Sequence, residues 1–167
     1  MYEVRPDANW KVLERYLRQF PQIASKYLME AMKKSVVTIA SNVKPETPVG
    51  VSSRLRNSIG SQVVREGPMS IVGRVGSSMK EIYPRSMEFG AQPHFPPPFN
   101  LERWVHLKLG VPTGAALGVA FTIARAISRR GLEGRRYLQT GWEKSESAVS
   151  GYFAEALRKI AEAIHGG

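Results

Sequence analysis

The residues best suited to acid–base chemistry are Glu88 and His94, which lie in the segment IYPRSMEFGAQPHFPPPFNLERWV at residues 82–105. An enzyme acting through this pair would need further polar groups that converge on the reacting atoms. No such group is evident, and the other histidines, His106 and His165, have no metal-ligand spacing. We therefore expect no enzyme activity, no metal and no cofactor. We expect His94 to bond to loop backbone and Glu88 to pair with an arginine.

Arginines are concentrated in two segments of the sequence. The segment RAISRRGLEGRR at residues 125–136 has five arginines against one acid, Glu133, a local balance of +4. Guanidinium groups bind phosphates and carboxylates bidentately, so this segment suits DNA or an acidic protein. A solvated face with internal ion pairs fits the same composition. The residues concerned are Arg125, Arg129, Arg130, Arg135 and Arg136, with a second cluster at Arg54 and Arg56.

Prolines stiffen the chain between residues 91 and 99. Pro93 and Pro96 to Pro98 hold the backbone extended and remove amide donors, which reduces the entropy lost on binding. Large aromatic side chains surround them, and such side chains are the usual anchors of protein interfaces. The alternative is that they fold back beneath the loop as a small additional core. The candidate subunit or partner contacts are Arg54, Arg56, Tyr83, Glu88, Phe89, His94, Phe95, Pro97, Phe99 and Trp104.

The elements that must position these residues follow from apolar periodicity. Helical spacing predicts a helix near residues 8–19, a kink at Pro21 and a longer helix near 21–43. Stretches rich in valine, isoleucine and serine at 55–65 and 70–77, joined by Glu66-Gly67-Pro68-Met69, predict a hairpin. A third strand is expected near 82–89.

Helical patterns return after the proline-rich loop. They predict helices near 101–109, 113–130 and 139–164, the first ended by Gly110 and Pro112. The fold class is therefore α+β. We expect an antiparallel sheet of three to four strands at about 55–89, packed against a long N-terminal helix (about 8–43) and C-terminal helices (about 100–164).

The composition is that of a folded domain. The 167 residues are 43% hydrophobic and 23% charged, which predicts a single domain over residues 1–167. Zero cysteines exclude disulfides and thiolate chemistry. The net charge of +10 would attract phosphates or acidic surfaces. The N-terminal residues lack the apolar stretch of a signal, and the run from Leu109 to Ala124 is interpreted as a buried helix, so we expect a cytoplasmic chain with no membrane span.

Three motifs resemble those of a known family. The first is Thr47-Pro48-Val49 followed by Arg54-Leu55-Arg56-Asn57-Ser58-Ile59; the second is Val75-Gly76 with Tyr83 and Glu88-Phe89-Gly90. The third runs from PHFPPP through Trp104-Val105 to Arg129-Arg130-Gly131 and Tyr137-Leu138. In order and spacing they resemble the neck or tail-completion proteins, also called minor tail components, of bacteriophages with long non-contractile tails. One departure is Gly50-Val51-Ser52-Ser53, a turn one residue longer than the family's.

The resemblance implies a structural virion protein of the head-tail junction. Copies would form a ring, sixfold in the family, between head-closure or connector proteins and the tail-tube protein. Assembly would take place in the host cytoplasm, and double-stranded DNA would pass through the lumen with non-specific contacts only. The alternative from another class is a free basic nucleic-acid-binding protein without sequence specificity, since no reading motif accompanies the arginines.

Overall fold

The computed structural model describes residues 8–67, 70–80 and 82–165, with side chains between residues 20 and 164. The described residues form two compact units. Of the described residues, the first unit contains those within 8–39, 61–75 and 145–165, and the second those within Ala40–Gly60 and Gly76–Lys144. The prediction of a single domain over residues 1–167 stays a prediction.

The N-terminal helix α1 runs without a break from Ala8 to Glu46. The expected interruption at Pro21 was wrong in that the structure has one helix where two were predicted. A proline inside a helix removes one backbone hydrogen bond, which the remaining bonds of a 39-residue helix can tolerate. The apolar residues whose helical spacing predicted this helix include Ala24, Ala31, Val36 and Val43, and these four are buried. The side chains of Trp10, Leu13 and Leu17 lie outside the described residues.

The predicted hairpin is present, and only its first strand begins and ends later than predicted. Strand β1 spans Ile59–Gly67 and pairs with β2, Ser70–Ser77. Two residues separate the strands, so they run antiparallel. The predicted turn residues Pro68 and Met69 lie outside the described residues. The start of the predicted strand is a short helix instead, α2 at Arg54–Ser58.

The first unit is held together by close packing on α1. A Cβ added to Gly73 of β2 would lie 2.5 Å from Val36 Cγ1 and 2.6 Å from Met32 Sδ, so only glycine fits there without movement. On the same helix, Thr38 Oγ1 and Tyr152 OH are within hydrogen-bond distance, 3.2 Å. Tyr152 belongs to the C-terminal helix α7, Glu146–His165. Sheet and C-terminal helix therefore both pack against the N-terminal helix, which confirms the α+β class.

The expected third strand at 82–89 was wrong: Tyr83–Phe89 is a helix, α3. Pro84 stands in its first turn, where a missing amide donor leaves no internal bond unmade. Two further strands do exist, as a second, separate sheet. Strand β3, Gly90–Ala91, pairs antiparallel with β4, Leu132–Glu133, in the register Gly90↔Glu133 and Ala91↔Leu132.

Helices α4, Pro98–Leu109, and α5, Thr113–Arg130, form a helical pair. Val105 of α4 is buried against two alanines of α5, Ala116 and Ala120. Gly110 ends α4 in the left-handed conformation with φ 68°, as the sequence predicted. Within the described residues no single helix is long and apolar enough to cross a bilayer. Helices α4 and α5 meet that length and hydropathy requirement only as a pair, bent by 115°.

The apolar run from Leu109 to Ala124 is buried on one face only. The small residues Ala116, Ala120 and Ala124 are buried, but Leu117 and Phe121 are 38% and 48% exposed. The run that was interpreted as a buried helix is therefore buried on its alanine face and exposed on the opposite face. Ala116 and Ala120 pack against Val105 of α4, and such small side chains let the two helices approach closely, whereas Leu117 and Phe121 are exposed.

The last predicted helix is divided in two. Helix α6 spans Tyr137–Glu143 and precedes α7 after a break at residues 144–145. In the second unit α6 lies directly against the end of α1. A Cβ on Gly141 would lie 2.6 Å from Val43 Cα and 2.8 Å from Val43 N, so the contact is between backbones.

This contact leads to a first prediction. Gly141→Ala forces two backbones apart and should lower the free energy of unfolding by about 1–3 kcal/mol, as overpacking does. Gly118→Ala is the matched control, because a Cβ on this glycine of α5 meets nothing within 4 Å. It should raise stability by about 0.5–1 kcal/mol through helix propensity. Urea unfolding followed by circular dichroism measures both. Equal effects of the same sign would contradict the close approach.

Candidate functional site

The carboxylate of Glu88 lies at the centre of the motif-bearing region. It is 5% exposed, and it accepts hydrogen bonds from two backbone amides of α6: Leu138 N at 2.8 Å and Gln139 N at 3.2 Å. The first amides of a helix have no internal partner, and a carboxylate also complements the positive end of the helix dipole. The described partners of Glu88 are therefore backbone amides of α6, which compensate this buried charge, and the arginine partner stays a prediction. The role of Glu88 in an assembly stays a prediction.

Backbone hydrogen bonds also connect α3 to the residues that precede α6. Arg135 N donates to Met87 O at 2.8 Å, and Arg136 N donates to Glu88 O at 3.1 Å. A Cβ on Gly134 would lie 2.4 Å from Glu88 O, so the two chain segments touch. Gly90 has φ 85°, a conformation that favours glycine. The Glu88-Phe89-Gly90 motif is therefore the place where α3 joins the chain leading into α6.

Tyr137, the first residue of α6, is buried and adds a side-chain hydrogen bond between α6 and α3. Its side chain is 1% exposed, and its hydroxyl donates to Pro84 O at 3.4 Å. Burial raises the pKa of Tyr137, and the negative charge of Glu88 and the nearby Tyr83 raise it further. The phenol is therefore held in its neutral form beside the buried carboxylate.

The aromatic side chains of the candidate site are exposed. Phe89 and Phe99 are 78% and 71% exposed, and Tyr83, Phe95 and Trp104 between 37% and 49%. The alternative of a small core beneath the loop is thus wrong for Phe89 and Phe99. Pro97 and His94 are exposed as well. His94 Nδ1 lies 2.8 Å from Gln92 O, which confirms the loop-backbone bond predicted for this histidine.

Tyr83 and Trp104 line a groove of the second unit. Two adjoining cavities of about 290 and 500 Å³ share these side chains and Gly50. Arg54 lines one cavity and Arg135 the other. We call this the Tyr83–Trp104 groove. Burial raises the pKa of Tyr83, so its hydroxyl remains a proton donor at neutral pH.

The proline-rich loop is fixed on the side of α5. The rings of Phe95 and Phe121 meet edge to face with centroids 5.6 Å apart. The guanidinium of Arg125 lies over the ring of Phe121, 5.8 Å from the ring centroid. Such contacts each contribute about 0.5–1.5 kcal/mol. Arg125, predicted for DNA or an acidic partner, therefore also supports the loop.

The remaining arginines fall in different places. Arg129 and Arg130 are exposed at the end of α5, and Arg136 precedes α6 with φ 48°. Arg56 Nε donates to Lys44 O at 2.9 Å, a favourable position for a cation near the end of α1. The structure thus separates the members of the predicted basic cluster. Arg135 lines the groove, whereas Arg125 lies over the Phe121 ring that contacts the loop. Partner contact for the basic and aromatic residues stays a prediction.

Several exposed apolar residues were missed by the sequence analysis. Ile82 is 79% exposed, and Val49, Phe121 and Trp142 are each at least 39% exposed. Phe121 and Trp142 follow helical spacing, so periodicity assigned them to the core. Val49 was noted only as part of a motif, yet it lines the groove. No group of three or more metal-binding side chains occurs in the part of the chain that the structure describes.

Comparison with known proteins gives one match. A family model described as "Bacteriophage HK97-gp10, putative tail-component" matches residues 11–90. The comparisons with curated proteins and with solved structures found no match. The matched range contains the first two motifs, at 47–59 and 75–90, and confirms the resemblance drawn from them. The match spans 80 of the 167 residues, so just under half of the chain is similar to this bacteriophage tail-component family. The proline segment and the arginines of 125–136 lie beyond the matched range.

The Glu88 cap gives a second prediction. Glu88→Ala leaves the two amides at the start of α6 without this acceptor and should lower the free energy of unfolding by about 1–2 kcal/mol. Glu88→Gln keeps one carbonyl acceptor and should lose less. The control Glu162→Ala removes an exposed carboxylate paired with Arg158 and should change stability by less than about 0.5 kcal/mol. Thermal unfolding measures all three, and a normal melting temperature for Glu88→Ala would refute the cap.

Tyr137 gives a third prediction, in alkaline solution. Its raised pKa means that the folded state holds the phenolic proton more tightly than the unfolded state, whose ordinary pKa is 10.0. The resulting stability is present below pH 10.0 and is lost as the pH rises through the folded pKa. Stability above pH 10 should therefore fall more steeply for the wild type than for Tyr137→Phe, whereas the two curves run parallel below it. Urea unfolding between pH 8 and pH 11 tests this, and parallel curves throughout would contradict it.

Proposed function

From the match to a bacteriophage tail-component family, we propose that this chain is a structural subunit of the phage neck. Its copies form a ring between the head-closure proteins and the tail tube, and double-stranded DNA passes through the lumen. The proposed role is assembly, with no reaction catalysed. Infectious particles would contain the protein at the head-tail junction.

The observation that carries this proposal is the exposed apolar surface of the second unit. Of the sixteen large apolar side chains that are exposed among the described residues, thirteen belong to Ala40–Gly60 or Gly76–Lys144. Exposed large apolar side chains concentrated in one unit are candidates for a contact surface, because extended apolar surface is costly to leave in water. Aromatic side chains such as Phe89 and Phe99 supply large contact area at little entropic cost.

Rigidity supports the same conclusion. The loop that carries Phe95 starts from the β3–β4 pair, is held on Phe121 and continues into α4. A surface that is ordered before it meets its partner loses less entropy on binding. A ring built head to tail also requires two different, complementary patches on each copy. The loop and the Tyr83–Trp104 groove are two such patches.

The basic residues suit a DNA path without base readout. Arg129 and Arg130 are exposed, and neither forms an ion pair with an acid among the described residues. A lumen lined by guanidinium groups would contact phosphates regardless of sequence. The same residues support a second candidate function, a free nucleic-acid-binding protein.

The fourth prediction tests the proposed role in a phage whose copy of this gene is inactivated. Supplying Phe89→Ser together with Phe99→Ser should lower the yield of infectious particles at least hundredfold, because two exposed anchors are lost. Val37→Ser with Leu157→Ser is the matched control, since these side chains are 59% and 61% exposed but lie in the first unit. It should restore a normal yield.

Electron microscopy and a DNA-binding titration complete this test. The failed variant should accumulate unjoined heads and tails. If its yield is normal, the aromatic contact surface is refuted. If inactivating the gene leaves tails joined, and the purified protein binds DNA with log affinity falling by about 0.9 per phosphate contact per decade of salt, the free nucleic-acid-binding function replaces the neck role.

A further inference from the structure

The Tyr83–Trp104 groove has the chemistry of a proline-binding site. Its apolar lining includes the two aromatic rings and Pro48. Its polar lining is rich in hydrogen-bond donors, since Trp104 and Arg103 can only donate. Aromatic-lined grooves of this kind recognise extended proline-rich chains, whose backbone carbonyls have no internal partners.

The chain itself contains a segment with the complementary chemistry. Four of the six residues in PHFPPP, at 93–98, are prolines and lack an amide donor, while every residue keeps its carbonyl. His94, Phe95 and Pro97 of this segment are exposed. We infer that the proline segment of one copy occupies the Tyr83–Trp104 groove of the next copy. This inference rests on the ring proposed above.

Helix α4 separates the two surfaces within one copy. Asn100, Arg103 and Trp104 line the groove, and their spacing places them on one face of the helix. Leu101 and Val105 lie on a different face, which packs against α5. The proline segment is held on the α5 side through the Phe95–Phe121 contact. A copy therefore presents its segment and its groove on different sides, which is the arrangement that a head-to-tail ring requires.

Charge also favours a second copy as the occupant. Each copy has a net charge of +10, so most of its surface repels another copy. The segment AQPHFPPPFN at 91–100 contains no lysine, arginine or acid, so it can approach the arginines of the groove without that repulsion. The acid of the groove, Glu46, is already engaged by Lys144 Nζ at 2.5 Å. In the described part of the chain neither Arg103 nor Arg135 forms an ion pair with an acid, so both can bind carbonyl oxygens, whereas Arg54 has a contact of its own.

Disulfide cross-linking in assembled particles tests the inference, and the absence of native cysteines makes it clean. A chain carrying His94→Cys and Val49→Cys has one thiol on the proline segment and one on the groove wall. Mild oxidation of particles should convert most of it into a ladder of covalent multimers that a reductant collapses. The double variant His94→Cys with Leu157→Cys is the control and should stay monomeric, because Leu157 is exposed but does not line the groove.

Two further results decide the inference. Adding Trp104→Ala to the cross-linking variant should reduce the ladder at least tenfold, because the groove loses its largest ring. Particles that form normally but give no ladder, or only an internal disulfide within each chain, overturn this contact and leave the neck function intact. The neck function itself fails only if particles lacking the protein still join heads to tails.

Discussion

The buried carboxylate of Glu88 is the interaction on which the candidate site depends. It joins α3 to the first amides of α6, fifty residues later in the chain. A charge buried to 5% exposure is tolerated only when hydrogen bonds replace its lost water, and the free amides at a helix start are well suited to do this. Because the link is both charged and backbone-directed, it fixes the direction of α6 and the position of the chain that follows α3.

The positions of the neighbouring elements depend on this link between Glu88 and α6. Gly90 leaves α3 with φ 85° and lets β3 pair with β4, so the proline-rich loop starts from a fixed point. The edge-to-face contact of Phe95 with Phe121 fixes its middle, and α4 fixes its end. A segment held at three points keeps its exposed aromatic side chains in place. In a structural role this rigidity is the useful property, since the surface is already in its binding conformation.

The bounds of several helices could be predicted because local chemistry sets them. Helix α5 begins after Pro112 and ends before Gly131, and its observed span, Thr113–Arg130, is the predicted one. The second strand of the hairpin also has its predicted bounds, 70–77. The residues at 82–89 predicted an extended strand, but the segment forms a helix. The hydrogen bonds of Met87 and Glu88 to residues 135–139 stabilise that helix, and they come from a distant part of the sequence.

Residue types and their spacing were enough to predict the α+β class, the proline segment, the basic charge and the resemblance to tail-component proteins. These properties depend on residue type and short-range spacing, so they can be read along the chain. Tertiary structure alone decided which groups meet: the amides that cap Glu88, the alanine face of α5 that sends Phe121 outward, and the groove between Tyr83 and Trp104. The reason is that burial and hydrogen-bond partnership depend on distances between residues far apart in sequence, which periodicity does not contain.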